Sequence, residues 1–185
     1  MKNLILVALI LQLVITVNVI NATFEFGDIL AFLRACGRKE GVYKHYAIYV
    51  GPSNETDVGQ GDNDIFHLKV CIGPVCQYQF DTLEATKGDS PVEVENYFDT
   101  TDGMGPGTRE EIMKRIKDSK GNCQLYGPLN KNCEHFATWV RYDKPTAKQS
   151  GTFVEPIFRL NAFVREIMAE LSRHFMNELL CFLAG

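Results

Sequence analysis

Apolar residues change rhythm several times along the chain. Positions 4–17 form an almost unbroken apolar run behind Lys2, followed by small and polar residues that end at Ala22. That is the layout of a secretory leader, and the run falls short of the ~20 residues that a spanning helix needs. Residues 1–22 therefore read as a signal peptide, with an uncleaved signal anchor as the rival. Residues 24–32 read as a short lead-in with a turn at Gly27 and Asp28. Positions 43–50 are rich in aromatic and β-branched side chains and stop at Gly51 and Pro52, which predicts a strand. A polar, Gly-rich loop follows to Asn63. Further strands are expected over 65–71, 75–80 and 92–98, so a small antiparallel sheet is predicted.

The rhythm then becomes helical. Thr108 and Glu111 have capping-box spacing, and the helix they open should end near Gly121 behind a cluster of basic residues. A second helix should open at Asn132, a good N-cap, and run to Tyr142 before Asp143 and Pro145 stop it. From 157 to 183 apolar residues recur at helical spacing, but Arg159, Arg165, Glu166, Glu170, Arg173 and Glu178 interrupt them too often for a span. An amphipathic helix is expected there, docked on a lipid surface or on the rest of the protein. The pattern as a whole is α+β.

Composition narrows the options. Hydrophobic residues make up 45% of 185 positions, enough for the core of one domain. The net charge of −4, without a Lys/Arg cluster, makes nucleic acid a poor partner. A leader would send the chain to an oxidising lumen, where cysteines tend to pair. If Cys133 stays a thiol, the other five (Cys36, Cys71, Cys76, Cys123 and Cys181) cannot all pair within one chain. Cys71 and Cys76 could close a short hairpin loop. Asn54–Thr56 is an acceptor sequon in a loop that suits glycosylation.

Candidate chemistry centres on Cys133. In the first turn of a helix its sulfur would meet unpaired N–H groups and the positive end of the dipole, a setting that lowers a thiol's pKa. His45 and His67 fall on what read as neighbouring strands, so one could take the thiol proton while the other orients it. A structural role for all three is the plainer reading of spacing alone. A zinc site from Cys123, Cys133 and His135 lacks the paired short spacings such sites use.

The motif NCEHF at 132–136 resembles the signature of the lecithin:retinol acyltransferase-like family, phospholipase A/acyltransferase type. The neighbouring pieces match in order: Gly27 to Leu30, HYAIYVG at 45–51, Phe66 to Leu68, Thr108 to Glu111, and Arg141 with Tyr142. The resemblance covers about residues 26–142. It implies a permuted papain-like fold of the NlpC/P60 type, with a catalytic domain over 23–150 and the amphipathic segment over 151–185.

It also implies roles: Cys133 as nucleophile, His45 as general base, and His67 as the second, orienting histidine. His135 would be structural, as would Glu134 and Phe136. Tyr126 could donate a hydrogen bond but reads more naturally as a core residue. The reaction implied takes an acyl chain from a phospholipid or other acyl ester through a thioester on Cys133 and passes it to water, an amine or an alcohol. No metal or organic cofactor is needed. The membrane surface is the implied partner, and the secretory pathway, secreted or membrane-associated, the implied location. Two other readings use the same fold, a catalytically silent interaction module and a papain-like amidase or peptidase. The chain departs from many relatives, which are cytosolic with a hydrophobic C-terminal anchor, in its leader and its charged C-terminal segment.

Overall fold

The structure is a computed structural model that describes residues 24–36, 39–72, 75–160 and 167–168. The apolar run at 4–17 and most of the segment expected as an amphipathic helix over 157–183 lie outside the described residues. Six strands form one antiparallel sheet: β1 (Ile29–Cys36), β2 (Lys39–Tyr49), β3 (Ile65–Ile72), β4 (Val75–Asp81), β5 (Val92–Val94) and β6 (Cys123–Leu125), in the order β5-β1-β2-β3-β4-β6. Among the described residues four helices accompany them: α1 (Leu83–Lys87), α2 (Arg109–Ser119), α3 (Cys133–Tyr142) and α4 (Glu155–Phe158). The α+β class and the antiparallel sheet thus match the sequence pattern.

The expected helices start where their caps predict. Thr108 and Glu111 form a reciprocal capping box on α2, and Asn132 caps α3. The lead-in differs. After the turn at Gly27, whose φ of +92° suits glycine, the chain enters a full strand, β1. Its apolar run does not alternate because helices and loops cover both faces, and periodicity cannot identify such a strand. The strand expected over 92–98 stops at Val94, since Asn96 turns its side chain onto the Ile29 N–H at 2.9 Å.

One face of the sheet (Ile29, Ala31, Tyr46, Ile48, Phe66, Leu68, Cys76) packs on Ile112 and Ile116 of α2 and on Phe136, Ala137 and Val140 of α3. The other face holds Leu30, Phe32, Ala47 and Ile65 under Phe24, Leu83 and Val92. Cys76 is buried in the first face, and the side chain of Cys71, its expected partner in a loop closure, lies outside what is described.

The sheet is split between β2 and β3. They pair only from Ala47↔His67 to Tyr49↔Ile65, then part. Lys44 turns its N–H and C=O away from β1, and both bond the Gln149 side chain, at 2.7 and 3.1 Å. Further along, Phe153 N–H and Val154 N–H reach Gly41 O and Val42 O. Residues 149–154 therefore dress the open edge of β2, and Val42, Leu129, Ala147, Val154 and Phe158 form a small core beneath them. Among the described residues no helix is long and apolar enough to cross a membrane.

Candidate active site

Tyr46 lies two residues beyond Lys44, so its N–H also points out of the ladder into the split. There it meets the Cys133 sulfur, which also receives the amides of Cys133 and Glu134. The Tyr126 hydroxyl makes a further hydrogen bond to the sulfur. Asn132 fixes this end of α3: its Oδ1 accepts the His135 N–H at 3.0 Å, and its Nδ2 donates to Pro128 O at 2.7 Å. Cys133 is only 3% exposed. Burial pushes its thiol up to about 12, helped by the neighbouring Glu134 charge, although three amides pull the other way. The expectation that the helix start would lower this pKa is reversed, because desolvation of the thiolate outweighs the amides. The resting group is a neutral thiol.

His45 and His67 meet as the sequence predicts. His45 Nε2 and His67 Nδ1 are 3.0 Å apart, with the rings edge to face and Phe32 stacked on His45. Burial, then the charges of His67, Arg34 and Lys69, hold His45 well below the ordinary histidine value. Burial likewise lowers His67 to about 4, against an upward pull from Asp81. Both imidazoles rest neutral. Side chains alternate along β2, so His45 leaves the strand on the Phe32 face while the sulfur reaches the strand edge one residue on, at Tyr46. The hydrogen bonds of the sulfur, among the described residues, are to the amides and Tyr126 and not to either imidazole.

The remaining motif residues make local hydrogen-bond and packing contacts. His135 bonds the cap, with Nδ1 2.8 Å from Asn132 Oδ1. Glu134 is fully buried and accepts from Tyr97 Oη (2.6 Å), Lys148 N (2.8 Å) and the backbone and side-chain amides of Gln149. It thereby ties the start of α3 to the segment along β2. Phe136 packs among Phe66 and Tyr78. At the far end of α3, Arg141 makes a two-point contact with Asp99 (2.9 and 2.7 Å) and reaches Gly27 O at 2.7 Å, with Asp28 at 3.7 Å. Asn96 bonds Asp28, and Tyr142 bonds Asp99. This knot joins the first and last matched motifs.

Sequence reasoning passed over Tyr97, Asp99 and Gln149. Only a buried acid at Glu134, one residue after Cys133, hinted that such partners were needed. The zinc alternative gains nothing: Cys123 is exposed, and among the described residues no group of three or more His, Cys, Asp or Glu could hold a metal.

Comparison with known proteins gives a consistent picture. Residues 22–146 match the family described as lecithin retinol acyltransferase. The chain is similar to phospholipase A and acyltransferase 1 of Rattus norvegicus, 25% identical with 71% of this chain and 75% of the relative covered. It is also similar to phospholipase A and acyltransferase 4 of Homo sapiens (29%; 58% and 66%) and to human lecithin retinol acyltransferase (25%; 80% and 68%). Since the match spans well over half the chain and carries the helix start, both histidine strands and the Arg141 knot, this protein belongs to the lecithin retinol acyltransferase family.

Proposed function

We propose that the protein is a thiol-dependent acyltransferase and phospholipase of permuted papain-like design, with Cys133 as nucleophile, His45 as general base and His67 as its orienting partner. The observation that carries this reading is a buried thiol at a helix start, ringed by backbone amides, beside two neighbouring strands whose histidines hydrogen-bond each other.

Because thiol and imidazoles are neutral at rest, the proton moves only when an acyl ester binds. His45 and the sulfur then close across the edge of β2, as catalytic contacts that are loose in an empty site commonly do. The S–H proton passes to His45, and the thiolate adds to the ester carbonyl. The oxyanion is received by the amides at the start of α3, with the Tyr126 hydroxyl at hand. Collapse expels the alcohol of the lysolipid, which takes the proton from the imidazolium, and leaves an acyl thioester. Water, an amine or an alcohol activated by the same imidazole then releases the acyl group. The names of the relatives support a phospholipid or other acyl-ester donor. The leader-like apolar run at 4–17 supports a secretory-pathway location, and exposed Phe153 and Leu160 beside α4 suit a membrane surface.

The test is single-turnover reaction with a fluorescent phospholipid, followed by mass spectrometry of the intact protein. An acyl adduct on Cys133 that hydroxylamine removes is expected, with none from peptide or amide substrates. Turnover of peptides without a lipid adduct would instead favour the amidase reading, and no adduct with either the silent module.

A further inference from the structure

The histidine pair raises a question that its own geometry leaves open, namely which nitrogen of His45 carries the proton. His45 can accept the thiol proton at Nδ1 only if its hydrogen is on Nε2, and Nε2 faces His67 Nδ1 at 3.0 Å. His67 Nδ1 must then be the acceptor, with the hydrogen on His67 Nε2. That nitrogen is buried and has no hydrogen-bond partner. The nearest charge to it is the carboxylate of Asp81, with Oδ2 at 3.9 Å. Asp81 ends β4, pairs with Ile65 of β3 and so sits diagonally from His67 on the same face of the sheet. Its Oδ1 accepts the Thr82 N–H at 2.9 Å, which holds the carboxylate in place. The same Oδ2 also takes the ammonium of Lys69 at 2.7 Å.

We propose that Asp81 is a positioning residue that sets the tautomer of His67, and through it leaves His45 Nδ1 unprotonated to receive the thiol proton. The physical reason is direct. An N–H pointing toward a carboxylate oxygen is favoured over a lone pair pointing the same way, and in a buried site little water intervenes to weaken the preference. When the S–H bond breaks and the Nδ1–H bond of His45 forms, the imidazolium keeps its Nε2–H bond to His67. The positive charge is then faced by a dipole whose far end is anchored on Asp81. No further proton needs to move. Lys69 competes for Oδ2, so closure of the 3.9 Å gap to hydrogen-bond distance weakens the Lys69 contact.

This inference rests on the reading of His45 as the base, but its test separates the two. In full-length protein labelled with 15N-histidine, two-bond 1H–15N correlation spectra report each ring's tautomer without any lipid present. Both His45 and His67 are expected as Nε2–H tautomers in the unmodified protein. A wild-type His67 in the Nδ1–H form overturns the proposal even if every variant fails to fold. In Asp81→Asn the amide retains an acceptor for Thr82 but presents a donor to His67, so both rings should switch to Nδ1–H. The kcat for acyl transfer should fall about a hundredfold with KM within about twofold, and Asp81→Glu should recover most of it. Lys69→Met, which removes the competitor, should keep the tautomers and turn over no more slowly than wild type. Loss in Lys69→Met equal to that in Asp81→Asn would mean that the ion pair, not the tautomer, matters, and would overturn the proposal. Tautomers as expected in protein that never turns over an acyl ester would sustain the role of Asp81 and reject the acyl-transfer reading.

Discussion

At its first turn α3 holds Cys133, a thiol that burial keeps neutral, whereas at its last turn it holds Arg141 where each charge meets an opposite one. Ten residues of one helix join the two sites. Each gathers distant motifs: the first brings β2 and β3 to the helix start, and the second brings Gly27, Asp28 and Asp99 to its end. Their electrostatics differ in kind. The knot lowers the energy of the charges it contains, since Arg141 holds Asp99 below the usual carboxylate range. The thiol site withholds that compensation: burial drives Cys133 up and both histidines down, away from the charged forms that the proposed reaction would create. A site that must generate charge only in its transition state gains from such restraint.

The comparison can be broken most decisively at the two ends of α3. Cys133→Ala should cut phospholipid turnover by at least about 10^4-fold, because it removes the proposed nucleophile, while changing unfolding free energy by about 1 kcal/mol or less, since little volume is lost. Turnover by the variant within tenfold of wild type would sink the assignment. Arg141→Met should do the opposite. It leaves Asp28 and Asp99 facing an apolar side chain, a type of loss that costs about 3–5 kcal/mol, and urea unfolding should move by that amount. A shift below about 1 kcal/mol would show the knot to be ornamental.

A subtler contrast lies within the histidines. His45→Gln should lower kcat about a hundredfold or more at neutral pH, because the proposed general base is lost. His135→Gln should cost activity only as far as it loosens the cap at Asn132, which is worth about 1 kcal/mol of stability. Equal loss of kcat in the two variants would mean that the wrong histidine has been assigned. Steady-state rates together with denaturation midpoints separate the outcomes.

Much of this architecture was legible beforehand because local chemistry and global structure agree on it. Asn132 starts a helix, Thr108 and Glu111 close a capping box, and the apolar strand at 43–50 carries His45 beside His67. What was hidden depends on long-range burial. The sign of the Cys133 pKa shift depends on Tyr46, Tyr126 and the segment along β2, none of which a helix-start rule can weigh. Strand β1 was hidden by its lack of alternation. Gln149 was hidden because a side-chain amide that stands in for a missing strand has no sequence signature. Asp81 was hidden because nothing near it in the sequence announces a diagonal neighbour across β3 and β4.

The smallest effect, and the one that keeps the two ends of α3 most clearly apart, is their response to acid. A histidine free in the unfolded chain takes a proton near pH 6.5, while folded His67 does so only near about 4, and folded His45 is shifted in the same direction. Between those values the unfolded state binds more protons than the folded one, so stability falls as pH falls through this window and is complete above it. For His67 alone the loss is on the order of 3 kcal/mol. Asp99 behaves differently because its folded pKa lies below the ordinary carboxylate value of 3.8. Its contribution is present above that value and is lost only as pH falls further, through the folded value. Acid should therefore weaken the protein in two steps, the histidine pair first and the knot second. Urea midpoints at about pH 7, 5 and 3 resolve them. The double variant His45→Gln with His67→Gln should flatten the upper step and leave the lower one, and Arg141→Met should remove the lower step alone. An upper step that persists in the double variant would show that the imidazoles are not held neutral by the fold, and with it would go the contrast between a restrained thiol site and a compensated knot.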